Sequence, residues 1–349
     1  MNGAASGRGG EGALREVPGP RETFGLAGHA AAEAQMLTAY RAGRMPHAWL
    51  IGGEPGIGKA TLAYRMARFA LAHPDPAAPE VRDATDLSVP PDHPVARRIV
   101  ARGHGDLLVL ERTLNDRGNL RRDIAVDDVR KTITFFGSTA GEGGWRICIV
   151  DSADELNKEG ANALLKILEE PPAHSLLLVV SHAPARLLPT IRSRCRKLLL
   201  RPLDESDLME AAATALGTDP SDAQLHRAAA LAQGSVARAI ALYDGPSLAL
   251  RERVGAMLAG LPRVDGEALH ALGDALARAD DATYAGFTES VRDWLTARLA
   301  AGGDTPSLAR ISDAWEKFNR AAGETAAFNL DRKPLIFSTF ALLAEAVRG

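Results

Sequence analysis

The chain has 349 residues, of which 46% are hydrophobic and 24% charged, and a formal net charge of −3. This length predicts two or three domains of an ordinary soluble protein. The charge excludes a global attraction to nucleic acid or anionic membranes, so such contacts need a local patch. Two distant cysteines, Cys148 and Cys195, indicate neither a disulfide framework nor a zinc site and favour a reducing, cytoplasmic setting. The longest apolar run, residues 176–180, is far too short for a membrane helix.

Residues 1–20 are rich in glycine and lack the apolar run of a signal peptide, so we predict a disordered tail. In the stretch 21–203, four apolar runs without polar alternation predict strands that are buried on both faces of a parallel sheet. Those runs are residues 48–51, 107–110, 147–150 and 176–180. Segments with helical spacing separate them, among them 61–71 and 155–169, which predicts an α/β module with crossover helices.

Two further regions differ in character from this module. The proline-rich segment 72–104 is predicted to run over the surface as a loose insertion. Beyond residue 203 the chain is rich in Ala, Leu and Arg and has no strand-like run. We therefore predict two all-α domains, over residues 204–245 and 246–349.

The stretch GEPGIGKAT, residues 53–61, matches the phosphate-binding pattern G-x-x-x-x-G-K-[ST] through its lysine. It follows a predicted strand and opens a predicted helix. Its glycines let backbone N–H groups surround phosphate oxygens, and Lys59 supplies a positive charge. A chance glycine-rich turn is the alternative, and the strand and helix context favours nucleotide binding. We call this stretch the phosphate loop.

Hydrolysis has weaker support than binding. Ala60 stands where the pattern has the hydroxyl that ligates Mg²⁺, and Thr61 points about 100° away around the helix. Asp151, at the end of the third predicted strand, suits a metal-orienting role. The next residue is Ser152, whereas an ATPase of this kind needs a glutamate there to polarise the attacking water.

Residues 186–201, which we call the arginine segment, carry six Lys or Arg side chains and no acid. The segment is predicted as a loop after the fourth strand. A solvated basic loop is the default interpretation. The alternatives are contacts with DNA phosphates and an arginine finger, Arg194, that reaches a neighbouring subunit's γ-phosphate.

Several segments together resemble the clamp-loader subunits of bacterial DNA polymerase III, which belong to the AAA+ class, and most closely the delta-prime type within that family. The resemblance is strong over residues 25–205 and weaker beyond. Its most specific parts are LLKILEEPP and SRC. The matching segments are PHAWLI (46–51), GEPGIGK (53–59), HGDLLVLER (104–112), IAVDDVR (124–130), NALLKILEEPP (162–172), IRSRC (191–195) and NLDRK (329–333).

The resemblance implies an AAA+ P-loop module over 21–203, a helical lid over 204–245 and a helical collar over 246–349 that joins five subunits into an open ring. It implies a stator with little or no ATPase activity of its own, whose Arg194 acts in trans on the ATP of an adjacent gamma or tau subunit. The implied partners are gamma/tau and delta subunits, the beta sliding clamp and, through the complex, primed DNA.

At the nucleotide site the expected residues are Gly53, Gly56, Ile57, Gly58, Lys59, Ala60, Thr61, Asp151, Ser181 and Arg238. Arg238 comes one residue later than the family's lid arginine. We expect ATP or ADP to bind, with a poor magnesium site because Ala60 has no ligand oxygen. The family's zinc module falls in segment 72–104, which has no cysteine here, so we expect neither zinc nor another metal site.

Two other functions stay open. An active gamma/tau-type motor would need Thr61 to replace the missing hydroxyl and Asp154 or Glu155 to replace the missing base. We interpret both acids instead as charge partners of a helix N-terminus. A free-standing P-loop module outside replication is the third possibility.

Overall fold

The computed structural model describes residues 17–114, 118, 120–137, 141, 144–243 and 247–348. The predicted disordered tail thus lies outside the described residues, except for residues 17–20. The first elements are α1 (Ala30–Arg41), β1 (Ala48–Gly52), α2 (Lys59–Ala72), α3 (Pro79–Asp83), α4 (Pro94–Val100), β2 (Leu107–Leu110), α5 (Val126–Gly137), β3 (Arg146–Val150), α6 (Lys158–Glu169), β4 (Ser175–Ser181), α7 (Pro189–Arg194) and β5 (Arg196–Leu199). They are followed by α8 (Glu205–Leu216), α9 (Ala223–Ala232), α10 (Val236–Tyr243), α11 (Ser247–Ala259), α12 (Gly266–Ala277), α13 (Asp281–Ala300), α14 (Thr305–Ala327) and α15 (Arg332–Arg348).

A five-stranded parallel sheet, in the order β2-β3-β4-β1-β5, forms the centre of the first part. Every residue of β1 and β4 is buried, as expected for strands that are covered on both faces. β2 lies at an edge and is only partly buried. The four predicted strands and the α/β class with flanking helices are confirmed.

Alternate strand residues face two separate hydrophobic clusters, one on each side of the sheet. Trp49 and Ile51 pack with residues of α1, α2 and α4 on one side, which we call the α2 face. Leu50 and Cys148 pack with residues of α5, α6 and α7 on the other side, the α7 face. The phosphate loop leads into α2, whereas the arginine segment forms α7. The two candidate sites therefore belong to helices on opposite faces of the sheet.

The prediction of a loop for the arginine segment is wrong, because the segment forms α7 and the edge strand β5. Of the β5 side chains only Leu198 is buried, and Arg196, Lys197 and Leu199 are exposed. An edge strand does not need an apolar sequence, since only one of its sides pairs and much of it faces water. For this reason the sequence of β5 contains no long apolar run from which the strand could be predicted.

The prediction of a loose surface insertion over residues 72–104 is also wrong. This region contains α3 and α4, and Val81, Val95 and Ile99 are buried in the cluster on the α2 face. Pro79 and Pro94 are the first residues of the two helices. A proline costs nothing at that position, where the backbone N–H would have no helical partner.

The helical character predicted beyond residue 203 is confirmed, with no strand in the described part of that region. The chain divides into two compact units between Ile240 and Ala241. The second unit has its own core, which includes Phe287, Phe318 and Phe340. The domain boundaries expected after residues 203 and 245 stay predictions, and residues 244–246 lie outside the described chain. Among the described helices, none has both the length and the apolar composition needed to cross a bilayer.

Candidate functional site

The phosphate loop connects β1 to α2 in a conformation that requires glycine. Gly53, Gly56 and Gly58 all have positive φ angles, of 146°, 75° and 101°. A Cβ added to Gly53 would lie 2.7 Å from the carbonyl oxygen of Leu200, and one added to Gly56 would lie 2.4 Å from Ser235 Oγ. Both the backbone angles and the close neighbours therefore exclude larger side chains at these positions.

Lys59 begins α2 and is only 3% exposed. Its Nζ donates to the carbonyl oxygen of Gly53 at 2.7 Å and to that of Glu54. Burial lowers the pKa of Lys59 to about 8, and the charges of Asp154, Glu54 and Asp151 partly oppose this shift. The cation of the loop is therefore folded back onto the loop itself.

The first turn of α10 is hydrogen-bonded to the phosphate loop. Ser235 Oγ donates to the carbonyl oxygen of Pro55 at 2.9 Å, and the Ala237 N–H donates to that of Gly56 at 3.3 Å. These contacts bring the predicted lid region directly onto the loop. They also explain why a side chain at Gly56 would collide with residues 235 and 237.

His29, which precedes α1, completes the set of loop contacts. Its Nε2 lies 2.6 Å from the carbonyl oxygen of Ile57. Each of the five carbonyls from 53 to 57 therefore has a partner in the same chain. By contrast, the N–H groups of residues 56–61 donate to no acceptor within the described part of the chain. Unpaired N–H groups at a helix N-terminus fit the phosphate groups of a nucleotide.

Magnesium ligation has less support at this loop. Ala60 and Thr61 are the second and third residues of α2, so their side chains point in directions about 100° apart. Ala60 has no oxygen to offer a metal. Among the described residues, no group of three or more His, Cys, Asp or Glu side chains is arranged to hold a metal ion.

Asp151 and Ser152 follow β3 next to the loop. Burial raises the pKa of Asp151, and Glu111 adds to that effect, while Lys59 and Arg21 lower it. Ser152 has a left-handed backbone, with φ of 65°, and its Oγ lies 3.0 Å from Nε2 of His182. The hydroxyl at the position of the missing glutamate is therefore paired with an imidazole.

The interpretation of Asp154 as the charge partner of a helix N-terminus is wrong. Asp154 lies in a short 3-10 turn before α6, and Asn157 caps α6 by accepting from Gly160 N. Its carboxylate accepts hydrogen bonds from Ser181 Oγ at 2.8 Å, from Ala183 N at 3.1 Å and from His182 N. Asp154 thus holds the end of β4.

Glu155 also lies in that 3-10 turn, so the same interpretation is wrong for it. Its Oε2 forms an ion pair with Nε of Arg112 at 2.8 Å. Burial raises the pKa of Glu155, and Arg112 lowers it.

The hydroxyl of Ser181, expected at the nucleotide, donates to Asp154. The Arg238 guanidinium donates to Gln233 Oε1 at 3.0 Å, within the lid region itself.

Arg194 is the last residue of α7 and its side chain is 34% exposed. Its Nη1 donates to the Thr190 carbonyl oxygen at 3.0 Å, and its Nη2 lies 2.9 Å from Oε1 of Glu169 in α6. Ile191 and Cys195, on either side, are buried in the cluster on the α7 face. Arg194 therefore belongs to the opposite face of the sheet from the helix of its own phosphate loop.

The rest of the arginine segment has other contacts. The Arg196 guanidinium lies 5.0 Å from the centre of the Trp49 ring, a cation–π distance. Burial raises the pKa of the Cys195 thiol to about 12, which leaves it protonated and unreactive near neutral pH, as expected for a small buried residue.

Sequence reasoning missed His29 and His182. His182 directly follows β4, and ligand sites of open parallel sheets collect at the carboxyl ends of strands, so its position was a usable signal. No local pattern marked His29, because its contact with Ile57 joins residues 28 positions apart.

The model of the family described as DNA polymerase III, delta subunit, matches residues 28–204. This range covers about half of the chain. It contains the whole phosphate loop, the end of β3 and the arginine segment.

Curated relatives extend this finding. The chain is similar to DNA polymerase III subunit delta-prime of Pseudomonas aeruginosa, with 36% identity over 190 residues, 54% of this chain and 53% of that protein. The same subunit of Escherichia coli K12 is 32% identical over 232 residues, 64% of this chain and 63% of that protein. DNA polymerase III subunit gamma/tau of Mycobacterium tuberculosis is 33% identical over 162 residues, 46% of this chain and 25% of that protein. The chain thus spans less than two thirds of the length of each of these relatives.

Two solved structures from Thermotoga maritima are also similar. A DNA polymerase III gamma subunit-related protein has a TM-score of 0.44 and 17% identity, over 89% of this chain and 99% of that one. A single-substitution variant of RuvB has a TM-score of 0.43 and 18% identity, over 91% of this chain and 88% of that one.

Proposed function

This chain belongs to the DNA polymerase III delta subunit family, and we propose on that premise that it is a delta-prime-type stator of the clamp loader. In this proposal it joins gamma/tau and delta subunits in a cytoplasmic hetero-pentamer that loads the beta sliding clamp on primed DNA. Its own ATPase activity is negligible. Its Arg194 completes the ATP site of the neighbouring gamma or tau subunit.

The observation that carries this proposal is the placement of Arg194. The residue belongs to the α7 face, while the phosphate loop leads into the α2 face, and its guanidinium is partly open to solvent. This position supports a role for Arg194 at another subunit's nucleotide rather than at its own. A finger supplied in trans accelerates hydrolysis by about 10³ to 10⁵ in related P-loop enzymes.

The residues of the chain's own nucleotide site support binding more than hydrolysis. The unpaired N–H groups at the start of α2 suit the phosphates of ATP or ADP. Ala60 offers no magnesium ligand, and Ser152 cannot act as the base. In this proposal a bound nucleotide stabilises the subunit and is not consumed.

The alternative of an active gamma/tau-type motor has less support. It needs Asp154 or Glu155 as the base that activates water. The carboxylate of Asp154 accepts three hydrogen bonds at the end of β4, and that of Glu155 is paired with Arg112. Neither acid is placed to accept a proton from a water molecule without losing these contacts.

The decisive experiment is the ATPase rate of the loader reconstituted with gamma/tau, delta, beta clamp and primed DNA. Arg194→Ala is expected to lower the rate at least about ten-fold, which corresponds to about 1.4 kcal/mol of barrier. Arg186→Ala, which removes an exposed arginine from the same segment, serves as the matched control and leaves the rate unchanged. The isolated chain is expected to show no turnover. The motor alternative would be established by two results together. The isolated chain would hydrolyse ATP, and the ATPase rate of the complex would not change in Arg194→Ala.

A further inference from the structure

The guanidinium of Arg194 is held at two of its nitrogens. Nη1 donates to the carbonyl oxygen of Thr190, one turn earlier in α7, and Nη2 is paired with Oε1 of Glu169. A guanidinium has five N–H groups in one plane, so these two contacts fix the plane and leave three donors. The remaining donors point in different directions around that plane, and they can still bind a phosphate oxygen while both contacts persist.

The carboxylate that makes the second contact comes from a rigid element. Glu169 is the last residue of α6, and Leu164, Ile167 and Leu168 of that helix are buried on the α7 face. The proline pair at residues 171–172 follows after Glu170 and prevents the helix from continuing. Because Ile191 of α7 lies in the same cluster, one core fixes the elements that carry the acid and the arginine.

We propose that Glu169 is a positioning residue for Arg194, which it holds in the orientation that a neighbouring subunit's nucleoside triphosphate requires. This inference rests on the proposed function, because it assigns Arg194 a target in another subunit. Arg side chains lose considerable rotational freedom when they bind. A carboxylate that restricts the side chain beforehand lowers that cost in the transition state.

The neighbouring residue provides a matched control. Glu170 has the same side chain one position later and is also exposed. No ion pair of Glu170 is found in the described part of the chain. Glu169→Gln and Glu170→Gln therefore remove the same charge from nearly the same place, and only the first removes the ion pair with Arg194.

The test uses the complete reconstituted loader with ATP. Glu169→Gln is expected to lower kcat about three- to five-fold, as befits a partly exposed ion pair, with KM for ATP unchanged. Glu170→Gln is expected to leave both parameters as they are. In a double-mutant cycle, Glu169→Gln is expected to have no further effect once Arg194 is Ala, because the two residues act as one unit.

Three results would overturn the inference. If Glu169→Gln and Glu170→Gln behave alike, the specific contact has no role. If the effects of Glu169→Gln and Arg194→Ala add independently, Glu169 acts elsewhere. In both cases a large effect of Arg194→Ala alone leaves the stator proposal standing. If Arg194→Ala itself has no effect, the proposed function fails and the positioning role fails with it.

Discussion

The phosphate loop and the arginine segment differ in the burial of their cations, Lys59 and Arg194. Lys59 is buried and bound to carbonyls of its own loop, so its charge is used within the chain. Arg194 lies at the surface, where two contacts hold its guanidinium and about a third of the side chain stays exposed. The phosphate loop, which matches a known sequence pattern best, is thus the one whose cation is bound within the chain. A motif match measures how a loop folds, whereas the position of the side chain decides whether a neighbour can use it.

The largest expected loss of stability follows substitution of Gly56, where residues 235 and 237 of the lid region pack against the phosphate loop. In Gly56→Ala the positive φ and the contacts with Ser235 Oγ and Ala237 Cβ, at 2.4 and 2.7 Å, should together cost about 3 kcal/mol of unfolding free energy. Gly43→Ala is the control, because Gly43 also has a positive φ but no atom within 4 Å of its Cβ position. It should cost about 1 kcal/mol. Urea denaturation measures the unfolding free energy of both variants. Equal losses of stability would mean that the lid region does not pack closely against the loop.

The buried state of Lys59 predicts a specific pH dependence. Its pKa falls from 10.5 to about 8 on folding, so between these values the unfolded chain holds a proton that the folded chain has released. Stability therefore rises as the pH increases from about 8 to about 10.5, and below pH 8 the cost of burying the charge is fully present. Relative to Lys59→Met, the unchanged chain should gain about 3 kcal/mol of unfolding free energy over this window.

Urea denaturation at a series of pH values measures this difference. Lys158→Met, which removes an exposed lysine, should give a curve parallel to that of the unchanged chain. Parallel curves for Lys59→Met as well would show that Lys59 is not desolvated by folding.

The smallest expected effect belongs to the bond between the lid region and the loop. Ser235→Ala removes the donor to the Pro55 carbonyl and the acceptor for Arg238 N, and should cost about 1.5 kcal/mol. Amide hydrogen exchange in α10 should quicken accordingly. Ser338→Ala removes an exposed hydroxyl that bonds the preceding helical turn and should cost under about 0.5 kcal/mol. Unchanged exchange in α10 would mean that other contacts hold it on the loop.

The sequence was sufficient for those features that local patterns encode. The phosphate loop requires glycines within a few residues of one another, and strands covered on both faces require apolar runs, so both could be predicted. The partners of the loop carbonyls could not. Ser235 is 180 positions away from Pro55, and no spacing rule connects them.

The wrong predictions have physical causes of the same kind. Many prolines predict a loose chain in segment 72–104, although Pro79 and Pro94 start helices. The attraction of acids to helix N-termini predicts that Asp154 serves the nearest helix. In the fold, its carboxylate instead satisfies donors at the end of β4, which only the sheet order brings near.

The edge strand β5 has a consequence for solubility. In the described part of the chain no strand pairs with its outer side, and such a free edge is a template for strands of other molecules. Exposed Arg196 and Lys197 oppose that pairing, because a second copy would bring like charges together. The same two cations that interrupt an apolar pattern in the sequence of β5 thus oppose association of copies through this edge.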